Sequence, residues 1–138
     1  MKLGLADFEG LWRLDRAIDD RRAGQMAHLA GTARLATRDG GLDYSESGVL
    51  HLPGVPPMQA TRRYRWEADG EEIRVLFDDG RPFHSIIPAM QVAEATHWCN
   101  PDRYCVTYDF TRWPCWTSRW TVSGPRKAYV MESRYFRA

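Results

Sequence analysis

The sequence has few cysteines, no long hydrophobic run and no excess of charge of either sign. Its 3 cysteines, Cys99, Cys105 and Cys115, are an odd number, which argues against the disulfide framework of a small secreted protein. Residues 1–7 lack the sustained apolar core of a signal peptide. No segment approaches the roughly 20 apolar residues of a membrane-spanning helix. These absences predict a cytoplasmic protein with reduced thiols and no membrane partner.

The charge balance argues against a nucleic-acid partner. Lys and Arg number 19 and Asp and Glu 18, so the chain has no general field that attracts polyanions. The run of residues 62–66, Arg-Arg-Tyr-Arg-Trp, has a suitable composition for binding nucleic acid, but strand alternation divides it between two faces. Arg62, Tyr64 and Trp66 share one face. An inward Arg62 would need an anionic partner, which a ligand could supply.

Short alternating segments separated by turn residues fill the chain and predict about ten strands with no long helix. The predicted strands are residues 8–16, 28–38, 42–52, 59–68, 73–77, 83–87, 91–99, 103–111, 115–123 and 128–137. Consecutive hairpins favour an antiparallel meander, which removes its exposed edges by closing into a barrel. We therefore expect an all-β, up-and-down barrel formed by one domain, residues 1–138, with a β-sandwich as the structural alternative.

Four local features refine this prediction. Residues 3–8 suit a short helical turn that closes one end of the barrel. Residues 17–24 suit a charged loop or one or two helical turns, which would act either as a lid or as a solvated connection. Gly31 and Ala33 place small residues on the apolar face of the second strand and leave volume free. Gly48 predicts a bulge or a bend.

The first strand carries Gly10-x-Trp12, and the last strand carries Arg134 and Arg137. This combination resembles the calycin superfamily of lipocalins and fatty-acid-binding proteins. The resemblance implies that Trp12 packs beneath one of the two late arginines and closes the barrel. Residues 17–24 are too short and polar for the two-helix lid of fatty-acid-binding proteins.

The chain more closely resembles a family of single-domain bacterial proteins of unknown function within the calycins. The resemblance rests on motifs spread over nearly the whole chain: Tyr64-Arg65-Trp66, Phe77-Asp78-Asp79-Gly80-Arg81-Pro82-Phe83-His84, His97-x-Cys99-x-x-Asp102-x-Tyr104, Trp120-x-Val122-x-Gly124-Pro125-x-Lys127 and Tyr135-x-Arg137. The family implies a fold and no established activity. Calycins include carriers, haem-binding proteins and chromophore lyases, so the fold does not decide the function.

The polar residues of the central hairpins predict a ligand pocket. His97 and Cys99 share a strand face, and His84 lies on the preceding strand. Together with aromatic walls, these side chains suit a small, partly apolar, anionic molecule held inside the barrel. The predicted ligand-binding residues are Arg62, Tyr64, Trp66, His84, His97, Cys99, Tyr104, Tyr108, Trp116 and Trp120. The sequence identifies no cofactor, and it is compatible with a monomer or a homodimer.

Other interpretations of the same residues remain open. A lyase, isomerase or hydrolase would use His84 or His97 as the base, Asp102 to orient it and Tyr104 as a proton donor. His84, His97, Cys99 and Asp102 include the ligand types of a zinc or copper site, but their spacing matches no standard zinc pattern, so we predict no metal. A single histidine could also ligate haem. Alternatively, these groups are satisfied barrel residues, with Asp102 capping a turn, or the protein is a filled barrel that acts as an interaction module.

Overall fold

The fold is all-β, as predicted. A computed structural model describes residues 2–138. The strands are β1 (Gly10–Asp20), β2 (Gln25–Arg38), β3 (Gly41–His51), β4 (Met58–Asp69), β5 (Glu72–Phe77), β6 (Pro82–Ile86), β7 (Val92–Cys99), β8 (Asp102–Asp109), β9 (Trp116–Ser123) and β10 (Ala128–Arg137). Two short 3₁₀ turns, Leu5–Phe8 and Pro88–Met90, are the helical elements of the described residues. None of the helical structure within residues 2–138 has the length and apolarity that crossing a membrane requires.

The ten strands form one antiparallel sheet that curls into a nearly closed barrel. Its order is β6-β5-β4-β3-β2-β1-β10-β9-β8-β7, so the first and last strands of the chain pair in the middle of the sheet. Strands β6 and β7 are the two edges, and they lie side by side without a hydrogen-bonded ladder. The predicted up-and-down barrel is therefore confirmed, with one seam.

Two local predictions are wrong. The lid alternative for residues 17–24 is wrong, because residues 17–20 continue β1. The solvated connection is limited to the exposed turn at residues 21–24, where the Asp20 carboxylate accepts backbone N–H bonds from Arg22 and Ala23. The ladders pass Gly48 without a register shift. Gly48 instead pairs with Gly31 of β2. The two strands approach closely there, since a Cβ added to Gly31 would lie 2.1 Å from the Ser47 carbonyl oxygen. The register shift of the sheet lies between β5 and β6.

Aromatic rings fill one end of the barrel. The predicted helical turn is present at Leu5–Phe8, and it inserts Phe8 among four rings at centroid distances of 5.0–5.6 Å. The rings around Phe8 are those of Trp66, Phe110, Trp113 and Trp116. The Trp12 indole N–H donates to the Phe8 carbonyl oxygen at 2.9 Å, which ties the turn to β1. This end therefore forms the hydrophobic core.

Arg137, and not Arg134, covers Trp12. The Arg137 guanidinium carbon lies 3.9 Å from the centroid of the Trp12 ring, and its two terminal nitrogens donate to the carbonyl oxygens of Glu9 and Asp7. Gly10 makes room for it, because a Cβ there would lie 2.8 Å from Arg137 Nη1 and its φ is +130°. Arg134 lies on the outer surface beside Asp15.

We expect Trp12→Ala to lower the free energy of unfolding by about 3–5 kcal/mol, because the removed ring is fully buried. Urea denaturation measures the loss. Arg134→Ala is the control and should change stability by less than about 1 kcal/mol, since its ion pair is exposed. The opposite end of the barrel should keep its structure. A folded Trp12→Ala protein that fails to bind the ligand that the sequence predicts would contradict this division between the two ends.

Candidate functional site

The other end of the barrel contains a cavity of about 740 Å³. It extends to the β5–β6 and β7–β8 turns, the end opposite Phe8. All ten predicted ligand-binding residues line it. Among them Trp66, His84, Tyr108 and Trp116 are buried, Tyr64, His97, Tyr104 and Trp120 are half-buried, and Arg62 and Cys99 are exposed. The predicted set therefore runs from the interior of the barrel to its mouth.

A buried ion pair forms the inner wall of the cavity. Arg16 on β1 donates two hydrogen bonds to the Glu46 carboxylate on β3, at 2.7 and 2.9 Å, and its Nε donates to Ser133 Oγ at 2.7 Å. The strand between them, β2, has Leu29 opposite Arg16 and Ala33 opposite Glu46, with Gly31 at the level between. Small residues on β2 thus leave the space through which Arg16 reaches Glu46.

Tyrosine hydroxyls extend this network. Tyr44 donates to Glu46 Oε1 at 2.6 Å, and its hydroxyl lies 2.9 Å from that of Tyr135. Burial alone would raise the pKa of Glu46, but the hydrogen bonds and charge of Arg16 outweigh burial and hold that pKa below its ordinary value. Burial raises the pKa of Tyr44 well above its ordinary value. The inner wall is therefore a charged pair surrounded by neutral hydroxyls.

His84 is a buried neutral histidine. Its Nε2 lies 2.8 Å from the Tyr108 hydroxyl, whereas its Nδ1 has no hydrogen-bond partner among residues 2–138. Burial, aided by the charge of His97, lowers the pKa of His84 to about 3. The Trp116 indole nitrogen is also buried without a partner. Each such orphaned group costs about 1–3 kcal/mol, which a bound acceptor could recover.

The low pKa of His84 predicts acid sensitivity. The pKa of His84 is 6.5 in the unfolded chain and about 3 in the folded protein. Between these two pH values the unfolded chain binds more protons than the folded protein, so the free energy of unfolding should fall as the pH falls from 6.5 toward about 3. The slope is about 1.4 kcal/mol per pH unit. In urea denaturation between about pH 6 and pH 4, His84→Gln should remove most of this slope. His51→Gln, which removes an exposed imidazole, is the control; equal slopes in wild type and His84→Gln would refute a buried neutral His84.

The structure does not bring Asp102 to either histidine. Its Oδ2 lies 3.2 Å from Lys127 Nζ, which also donates to the Tyr104 hydroxyl at 3.1 Å. Asp102 does not line the cavity, although both His84 and His97 do. The catalytic arrangement in which Asp102 orients a histidine is therefore not formed. Within residues 2–138, no three His, Cys, Asp or Glu side chains cluster as metal ligands.

The charged groups at the cavity have an excess of positive charge. The lining includes the guanidinium groups of Arg16, Arg62 and Arg81 but one carboxylate, Glu46. Arg81 pairs with Asp79 at the rim, while Arg62 forms no ion pair with any carboxylate of residues 2–138. Arg62 lies directly across the ladder from Glu46, so its charge faces the cavity. The Arg62 side chain is exposed, however, so it is not a buried charge that requires an anionic partner.

Sequence reasoning missed several lining residues. Arg16 and Glu46 carry no local signal of their partnership, because they come together only through strand register. Phe83 was missed because simple alternation places it on the opposite face from His84. In the ladder, Val75 pairs with His84 and Leu76 with Pro82, so Phe83 is an extra residue without a partner on β5. This bulge turns Phe83 toward the cavity as well.

The architecture is that of an up-and-down β-barrel with an interior cavity open at one end. The chain belongs to a family of unknown function, DUF6314, whose members it matches over residues 8–137. A search of curated proteins gave no match.

Two solved structures share this fold at low sequence identity. The S-type phycobiliprotein lyase CPES from Guillardia theta is 9% identical with a TM-score of 0.64, and the match covers 97% of this chain and 90% of the lyase. A protein of unknown function from the DUF3598 family of Nostoc punctiforme is 11% identical with a TM-score of 0.61. That match covers 97% of this chain and 48% of the other. At such identities the likeness concerns the fold alone, and it agrees with the calycin resemblance.

Proposed function

We propose that this protein binds a small, partly apolar, anionic molecule in the barrel cavity. The observation that carries the proposal is a cavity of about 740 Å³ lined by aromatic rings and by more arginines than carboxylates. Sites for small ligands usually measure roughly 300–1,000 Å³ and combine apolar walls with a few polar groups. In this proposal the chain is a bacterial, cytoplasmic calycin, monomeric or homodimeric, as the sequence predicts.

The arrangement of charge supports an anionic ligand. The Arg16–Glu46 pair satisfies its own charges, so the inner wall offers hydrogen bonds and no net charge. Arg62 lies across the ladder from Glu46 but forms no ion pair within residues 2–138, and its exposed guanidinium lines the cavity next to the apolar walls. A ligand with an apolar body inside and a carboxylate, sulfonate or phosphate near Arg62 would match both regions. The fold of a phycobiliprotein lyase supports a ligand-handling role for such a barrel, but not the identity of the ligand.

An enzymatic role has one supporting observation, the His84–Tyr108 hydrogen bond facing the cavity. A lyase, isomerase or hydrolase would require one of these groups to exchange a proton near neutral pH. Burial moves both groups away from that range, because it lowers the pKa of His84 to about 3 and raises the pKa of Tyr108 well above its ordinary value. The pair is therefore better suited to hydrogen-bonding a ligand than to transferring its protons.

The proposal is tested by isolating the protein from its own host under gentle conditions. Native mass spectrometry should show an added mass that denaturation releases, and the released compound should carry an acidic group. A protein isolated empty that also fails to bind the anionic probe 8-anilinonaphthalene-1-sulfonate would overturn the proposal.

The role of Arg62 gives a separate prediction. Arg62→Gln should weaken 8-anilinonaphthalene-1-sulfonate binding by about fivefold, equivalent to about 1 kcal/mol for a partly exposed charge pair. The loss should shrink at high salt because screening already weakens the pair. Fluorescence titration measures both. The matched control is Arg34→Gln, an exposed arginine on the outer face of β2, which should leave binding unchanged. Equal effects of the two substitutions would contradict a contact between the ligand and Arg62.

A further inference from the structure

Phe83 occupies an unusual position in the barrel wall. It is the bulged residue of β6, with no partner on β5, and both it and His84 line the cavity. A regular strand would place two consecutive side chains on opposite faces. Bulges redirect side chains in this way and are frequent beside functional sites. The bulge therefore places a large apolar ring inside the binding region.

The Phe83 ring stacks with two other nearly parallel rings, and at a longer distance of 5.7 Å with Tyr64. Its centroid is 4.4 Å from that of Phe77 with an interplanar angle of 20°, and 5.0 Å from that of Trp120 with an angle of 13°. Phe77 belongs to β5 and Trp120 to β9, which lie on opposite sides of β6 around the barrel. Phe77 and Trp120 thus define a flat space, the planar slot, that the ring of Phe83 fills.

The contacts of the Phe83 ring are with other aromatic rings. Its ring meets the His97 ring edge-on at 5.2 Å across the seam, and β6 has a hydrogen-bonded ladder only with β5. The side chain is half-buried, whereas the Phe8 ring at the closed end is fully buried. Rotation of one side chain about χ1 is a fast motion in partly exposed residues and requires no break in the sheet.

We propose that Phe83 is a movable plug that occupies the planar slot until a flat ring of the ligand replaces it between Phe77 and Trp120. The inference rests on the proposed binding function and adds the class of ligand: an aromatic or conjugated planar molecule with an acidic group. The ligand ring would replace the stacking that Phe83 makes with Phe77 and Trp120. The acidic group would remain at the mouth near Arg62.

The experiment compares two carboxylates of different shape by isothermal titration calorimetry: flat 1-pyrenebutyrate and flexible decanoate. Phe83→Ala should increase the affinity for 1-pyrenebutyrate about tenfold, because no ring has to leave the slot before binding. Decanoate should gain less than about twofold, since a flexible chain makes no use of parallel walls. Phe83→Leu keeps more apolar bulk and replaces Phe83→Ala if the alanine variant does not fold. It should also strengthen 1-pyrenebutyrate binding more than decanoate binding, but by less than Phe83→Ala does. The control is Phe136→Ala, on the outer surface beside Arg13.

The outcomes separate the two proposals. If neither carboxylate binds the wild type or any variant, the binding function itself is overturned. If both bind but the Phe83 variants strengthen them equally, or strengthen neither, the planar slot is wrong and the binding function stands. A gain confined to 1-pyrenebutyrate, and absent in Phe136→Ala, supports the slot.

Discussion

The buried Arg16–Glu46 pair is the interaction on which the division of this barrel depends. Burying two charges costs several kcal/mol per ion, and only good geometry with further hydrogen bonds offsets that cost. Here both terminal nitrogens of Arg16 are used, Ser133 accepts from Nε, and Tyr44 donates to the carboxylate. Removing one partner would leave an unpaired buried charge, so neither residue can change alone without a large loss of stability.

This pair also explains why the barrel is filled at one end and hollow at the other. Between the closed end and the pair, Phe8 and Trp12 pack against other aromatic rings and exclude water. Beyond the pair, the wall polarity favours solvent or a ligand over further apolar packing. The hydrophobic core thus supplies stability at a distance from the mouth. The stability that this core supplies can offset the cost of buried groups such as His84 Nδ1 and the Trp116 indole nitrogen, which have no partner within residues 2–138.

Much of this organisation could be predicted from alternation alone. The side-chain period of a strand is two, so the inward faces that predicted the sheet also predicted ten of the residues that line the cavity, from Arg62 to Trp120. Prediction failed where the partner of a residue is set by register or by a distant turn. The enzymatic interpretation of the sequence places Asp102 beside a histidine, whereas the ion-pair partner of Asp102, Lys127, arrives from the β9–β10 turn. Phe83 was missed because a bulge breaks the period.

The location of the titratable groups limits the chemistry that the cavity can support. In the interior, burial keeps His84 neutral and raises the pKa values of Tyr44 and Tyr108, so these groups hold fixed protonation states across the neutral range. Groups with fixed protonation states orient a ligand through hydrogen bonds but do not exchange protons with it at useful rates. Nearer the mouth, His97 and Tyr104 are half-buried. Beside Tyr104, Lys127 and Asp102 bind each other, and no salt bridge of residues 2–138 joins His97 to a carboxylate. The interior therefore presents hydrogen-bonding groups of fixed protonation state, which is consistent with the proposed binding of a ligand.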